Sequence, residues 1–129
     1  MRVMDSDLVI ASLRGRNDAK GKVKQLEQTD SLALTSLTEY EVLLGAYFYG
    51  KKDDIDETED LFSKYTVLSL DANSAKRAAK IRAKLMKQGS DVADIDVLIA
   101  AVVLEYGATL VTRNKTHFER IEELIVEEW

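Results

Sequence analysis

The chain has no cysteine, no proline and a single histidine, His117. Without cysteine it can form no disulfide, offer no thiol nucleophile and build no thiolate zinc site. One imidazole likewise excludes a multi-histidine metal centre within one chain. No apolar run approaches the roughly 20 residues that cross a bilayer, and the N-terminus lacks the apolar core of a signal peptide. A cytoplasmic protein with no membrane partner is expected. What is present is ordinary for a soluble globular protein: 46% hydrophobic and 32% charged residues in a chain of 129, enough for one core but not two. A single domain over 1–129 follows.

The net charge of −5 does not suit a protein that must neutralise phosphates, but the charge is unevenly spread. Acid gathers in 53–60 and 119–128, whereas Arg14, Arg16, Lys20, Lys22 and Lys24 form a basic stretch. Lys76, Arg77, Lys80, Arg82, Lys84 and Lys87 form another. Local basic surfaces coexist with an acidic total in some nucleic-acid binders. The second run circles nearly the whole of its helix, so a solvated helix surface explains it better.

Short apolar runs alternate with helical patterns along the chain. The spacing predicts strands over 2–4, 32–34, 66–70 and 109–112, with a further one at 125–126. Helices are predicted over 8–13, 17–27, 37–49, 53–64, 72–88 and 93–106. Asp5-Ser6-Asp7 can cap the first, and Asp71 the fifth. Gly89 and Gly107 stand where helices commonly end. Residues 97–104 have no polar face, so their helix belongs deep in the fold. This alternation predicts an α/β domain, a short, mostly parallel twisted sheet with helices on both faces. Ligands of such sheets bind beyond the carboxyl ends of the strands, where Asp5 and the Arg113-Asn114 pair fall.

Each acid there has an ordinary explanation. Asp5 can be a helix cap. Glu41 shares a helix with Leu37, Tyr40, Leu44 and Phe48, and a carboxylate on such a stripe is costly to bury without a cation. Helical phase does not separate it from Glu39. Asp96 lies in the first turns of the most apolar helix, where negative charge suits the dipole. Ser90 or Asp91 can cap that helix, and Asp94 points elsewhere from Asp96. Asn114 fits a turn. Taken together, these residues gather carboxylates at strand C-termini and helix N-termini. Three carboxylates in one pocket repel unless cations bind. An oxygen-only donor set selects Mg²⁺ or Mn²⁺, whose waters serve phosphodiester hydrolysis.

The segments Val3-Met4-Asp5-Ser6-Asp7-Leu8-Val9-Ile10 and Thr38-Glu39-Tyr40-Glu41-Val42-Leu43-Leu44-Gly45 carry a resemblance. So do Asp94-Ile95-Asp96-Val97-Leu98-Ile99-Ala100-Ala101, Leu110-Val111-Thr112-Arg113-Asn114 and His117-Phe118. Over essentially its whole length the chain resembles the PIN-domain ribonucleases, specifically the VapC-type toxins of toxin–antitoxin pairs. The resemblance implies that Asp5, Glu41 and Asp96 bind metal. It favours Glu41 over Glu39, because the family's glutamate stands four residues before a glycine, here Gly45. It maps a fourth position, more often aspartate, onto Asn114. Loss of that charge leaves the number of ions, one or two, open. Thr112 occupies a position whose hydroxyl often lines the pocket. The resemblance further implies an endoribonuclease using Mg²⁺ or Mn²⁺, a homodimer, and a cognate antitoxin whose tail fills the active-site groove.

Two other readings compete. Asp5-Ser6-Asp7-Leu8-Val9 fits the first motif of haloacid-dehalogenase-like phosphatases, with Asp5 as nucleophile and Asp7 as acid. That family needs later acids at a strand end, whereas Asp94 and Asp96 are expected to begin a helix. The other is a non-catalytic binding module on the same fold, against which three retained acids speak. His117, close to Asn114 in sequence, is expected to be a surface or structural residue, and Tyr47, Phe48 and Tyr49 to serve either the core or a dimer surface.

Overall fold

A computed structural model describes residues 1–129. The strands are β1 (Arg2–Met4), β2 (Leu32–Thr35), β3 (Thr66–Leu68), β4 (Thr109–Thr112) and β5 (Ile125–Glu128). The longer helices are α1 (Ser6–Leu13), α2 (Asn17–Thr29), α3 (Ser36–Tyr49), α4 (Lys52–Lys64), α5 (Ala72–Lys87) and α6 (Asp94–Glu105). A single turn, α7 (Lys115–Phe118), follows β4 and has no counterpart in the sequence-based expectation. Four residues are too few to show a hydrophobic period, so only fully buried Phe118 betrays it.

The five strands lie in the order β3-β2-β1-β4-β5, and every pairing is parallel. An all-parallel sheet is stable only when both faces are covered, and alternation along the strands divides the interior accordingly. Val3, Ala33, Leu68 and Leu110 point into one core with α5, α6 and Phe118. Met4, Leu32, Leu34 and Val111 point into the other, with α1, α2, Val42 of α3 and Phe62 of α4. Val97, Ile99, Val102 and Val103 of α6 are almost fully buried, as the absence of a polar face implied. Each contributes roughly 1.5–3 kcal/mol by leaving water.

Two local expectations are corrected. Neither Ser90 nor Asp91 caps α6; the cap position is Ala93, which makes no side-chain hydrogen bond. Val92, just ahead of it, is buried and sets the approach of the chain, so the helix begins too late for those side chains to reach it. On α3, Tyr40, Leu44 and Phe48 are not a core stripe but exposed, Phe48 by 80%. The helix is instead anchored through Thr38 and Val42. Tyr47 and Tyr49 are exposed too, which leaves core packing no part in them.

The order of strands places the site. The chain leaves β1 toward β2 and β3 on one side, then returns to build β4 and β5 on the other. The crevice between β1 and β4 is therefore the switch point at which ligands of open α/β sheets bind.

Candidate active site: an acidic pocket at the switch point

Asp5 follows β1 directly, and its backbone N–H donates to the Val111 carbonyl of β4 at 3.0 Å. Its side chain has two partners. Oδ1 accepts from the Ser6 N–H at 2.8 Å, capping α1, and Oδ2 accepts from the Thr112 hydroxyl at 2.7 Å. The carboxyl is 6% exposed. Burial pushes its pKa up to about 7; the Thr112 and Ser6 bonds oppose the shift, while Asp7 and Glu41 add repulsion. Thr112 also accepts the Asn114 N–H at 3.0 Å, so one hydroxyl ties both strand ends together.

Glu41 projects from the second turn of α3, and no protein group bonds its buried Oε1. Burial raises its pKa, against the Ser6 hydroxyl, and the charges of Asp96 and Asp7 raise it further. Asp96, in the first turn of α6, is also raised by burial, with His117 pulling the other way. The His117 Nδ1 is 3.6 Å from Asp96 Oδ2 and 2.8 Å from Asn114 Nδ2. Asp5, Glu41 and Asp96 thus form an electrostatically continuous set, and Asn114 joins it through His117. Neither Asp5 nor Glu41 is paired with a lysine or arginine, though Arg14 lines the groove beside Glu41.

The remaining expectations sort cleanly. Asp94 is exposed and paired with Arg82 at 2.9 Å, outside the pocket. Glu39 acts on none of the three acids. Asp7 accepts from Thr112, from the Arg113 backbone and from the Trp129 indole. Those three bonds hold it as a brace, which removes the acid that a phosphatase of the haloacid-dehalogenase type would need. His117 stands nearer the pocket than a surface role implies, half-exposed at its rim. The role of Trp129 had no signal in the sequence, because its partner Asp7 is 122 residues away.

The donor set fits a hard divalent cation. All candidate ligands are oxygens, and one buried carboxylate oxygen has no partner. No three acids or histidines stand close enough to form a ready-made cage.

A family model described as the PIN domain matches residues 2–124, a span that includes Asp5, Glu41, Asp96 and Asn114. The tRNA(fMet)-specific endonuclease VapC of Shigella flexneri is 29% identical over 98% of this chain and 96% of its own length. The protein of that name from Salmonella typhimurium is 30% identical over 78% of this chain and 77% of its own. Among solved structures, VapBC-1 of nontypeable Haemophilus influenzae has a TM-score of 0.86 at 27% identity, over 99% of this chain and 97% of that one. No helix is long and apolar enough to cross a membrane. The chain belongs to the PIN-domain family and, within it, to the VapC ribonucleases.

Proposed function

We propose that this protein is a divalent-metal-dependent endoribonuclease, the toxin of a toxin–antitoxin pair, with Asp5, Glu41, Asp96 and Asn114 as its site. The observation that carries the reading is Glu41: a half-buried carboxylate with an unpartnered oxygen and no ion-pair partner, beside two further carboxyls whose pKa burial raises. Such a cluster is an electrostatic cost to the fold unless it serves a cation. Asp5, Glu41 and Asp96 would hold Mg²⁺ or Mn²⁺, with Asn114 as a neutral fourth donor. When bound, the ion supplies an activated water and stabilises the leaving oxygen of the phosphodiester. Thr112 keeps Asp5 oriented and Asn114 close by. The histidine at the rim is expected to orient Asn114 rather than to act as base.

The relatives named endonuclease support the reaction, and the likeness to VapBC-1 supports the antitoxin as partner. A groove of about 240 Å³ beside Glu41, lined by Ile10, Leu13, Arg14, Val42 and Tyr49, fits a peptide tail from that partner. The exposed face of α3 supports a homodimer, and an RNA substrate is in keeping with a cytoplasmic protein.

Purified protein incubated with RNA in Mg²⁺ or Mn²⁺ is expected to cut it, and chelator to stop the cutting. Asp5→Asn and Asp96→Asn are each expected to lower the rate about 100-fold or more, since removing one group of a cooperating site forfeits most of its effect. Cleavage at an undiminished rate in both variants would refute the site.

A further inference from the structure

Two arginines and the single tryptophan stand beside the acidic pocket and have no part in the chemistry described above. Arg113 follows Thr112 at the end of β4, and its guanidinium lies 3.6 Å above the centre of the Trp129 ring. Its Nε donates to the main-chain oxygen of Trp129 at 3.1 Å, and one terminal nitrogen pairs with Asp18. Arg16 pairs with the same Asp18 oxygen at 2.8 Å and is 5.8 Å from the Trp129 ring. Trp129 is fixed in turn, its indole N–H donating to Asp7 Oδ1 at 3.1 Å. From Asp7, the Thr112 hydroxyl leads back to Asp5 through contacts of 3.1 and 2.7 Å. The cluster is thus three hydrogen bonds from the carboxylate at the centre of the pocket.

Its pairing differs from that of the ion-paired residues of α5. On α5, Arg77, Arg82 and Lys84 each have their own acid, Glu105, Asp94 and Glu122. Arg16 and Arg113 share Asp18, and Trp129 also receives Arg113 Nε, so what the pair offers a ligand is its unspent donors. Both are accessible, at 50% and 39% of the side chain. Each also keeps N–H groups that no protein atom receives: one terminal nitrogen of Arg113, and Nε and a terminal nitrogen of Arg16. Stacking on Trp129 holds the Arg113 plane in advance, which lowers the entropy cost of receiving a ligand. A planar, pre-set pair of guanidiniums with unspent donors suits a phosphate.

Resting on the ribonuclease reading, we propose that Arg16 and Arg113, backed by Trp129, hold a backbone phosphate of the RNA strand next to the cleaved bond. The acidic pocket repels the substrate it must cut; this ledge supplies the attraction within reach of it.

The test uses the full chain carrying Asp96→Asn, so that RNA survives, titrated with unfractionated transfer RNA and with a labelled single-stranded oligoribonucleotide. Anisotropy reports binding, and the emission of Trp129, the sole indole, reports the ledge. Emission corrected for RNA absorption is expected to change in step with anisotropy. Arg16→Gln and Arg113→Gln are each expected to weaken binding roughly fivefold to tenfold and to lower the slope of log affinity against log salt by about 0.7–0.9. Arg16→Gln removes only an exposed pair, so it remains decisive should Arg113→Gln disturb the strand end. RNA binding that leaves Trp129 emission unchanged and is unaltered in both variants overturns the inference while sparing the ribonuclease reading. RNA that this variant does not bind and that the unsubstituted chain does not cleave in Mg²⁺ or Mn²⁺ overturns that reading and the inference with it.

Discussion

At the level of single residues, Asp5 receives the Ser6 N–H and the Thr112 hydroxyl, yet burial still pushes its carboxyl up to about 7. A raised folded-state pKa means that the folded protein holds this proton more tightly than the unfolded chain. The resulting stabilisation is complete below about pH 4, declines as pH rises, and is gone above about 7. The displacement from 3.8 to about 7 is worth up to about 4 kcal/mol. Metal-free protein is therefore expected to lose stability between about pH 4 and 7, and Asp5→Asn to flatten that decline. Urea unfolding in chelator at several pH values measures both. Mn²⁺ favours the ionised carboxylate, so its stabilising effect should be larger at pH 8 than at pH 6. Equal shifts at the two values would detach Asp5 from the ion.

Among the elements, α7 shows how a short piece can carry much of a site. Asn114 is its cap residue and His117 lies within it, so both pocket residues depend on one buried anchor, Phe118. Phe118→Ala is expected to cost about 3–5 kcal/mol of stability, and Phe118→Leu much less. The leucine variant should remain folded yet cleave more slowly, because the turn that carries Asn114 and His117 is loosened. Circular dichroism combined with a cleavage assay separates the two effects. A leucine variant with full activity would show that α7 needs no such anchor. The long elements could be read from the sequence because their apolar periods and caps are local: Asp71 accepts from the Ser74 N–H, as its position foretold. The single turn and the identity of the α6 cap could not, since both depend on what Phe118 and Val92 meet across the fold.

For the whole molecule, the sequence pointed to the candidate acids but not to what braces them. Asp96 stood out by its place at a helix start and Glu41 only through the family resemblance, whereas the Asp7–Trp129 bond links residues 122 apart and follows no period. The surface was less legible still, because an apolar helix face reads alike whether it turns to a core or to a partner. Tyr40, Leu44, Tyr47 and Phe48 are 59%, 53%, 55% and 80% exposed, which argues for a self-associating face. Static light scattering is expected to give twice the chain mass of 14.5 kDa, and Leu44→Glu with Phe48→Glu to give the single-chain mass. A double variant that keeps the doubled mass would move the dimer contact elsewhere.

The placement of β4 has a consequence for synthesis. Asp5 is made almost first, and Thr112, which holds it, comes 107 residues later. Until β4 slots in beside β1, the acids at the chain's start have no second wall and no Asn114 opposite them. A ribosome making this protein therefore carries an inert nascent chain for most of the message. With the proposed site, cleavage is expected only once β4 has been made, which gives an inhibitor synthesised alongside that interval in which to accumulate.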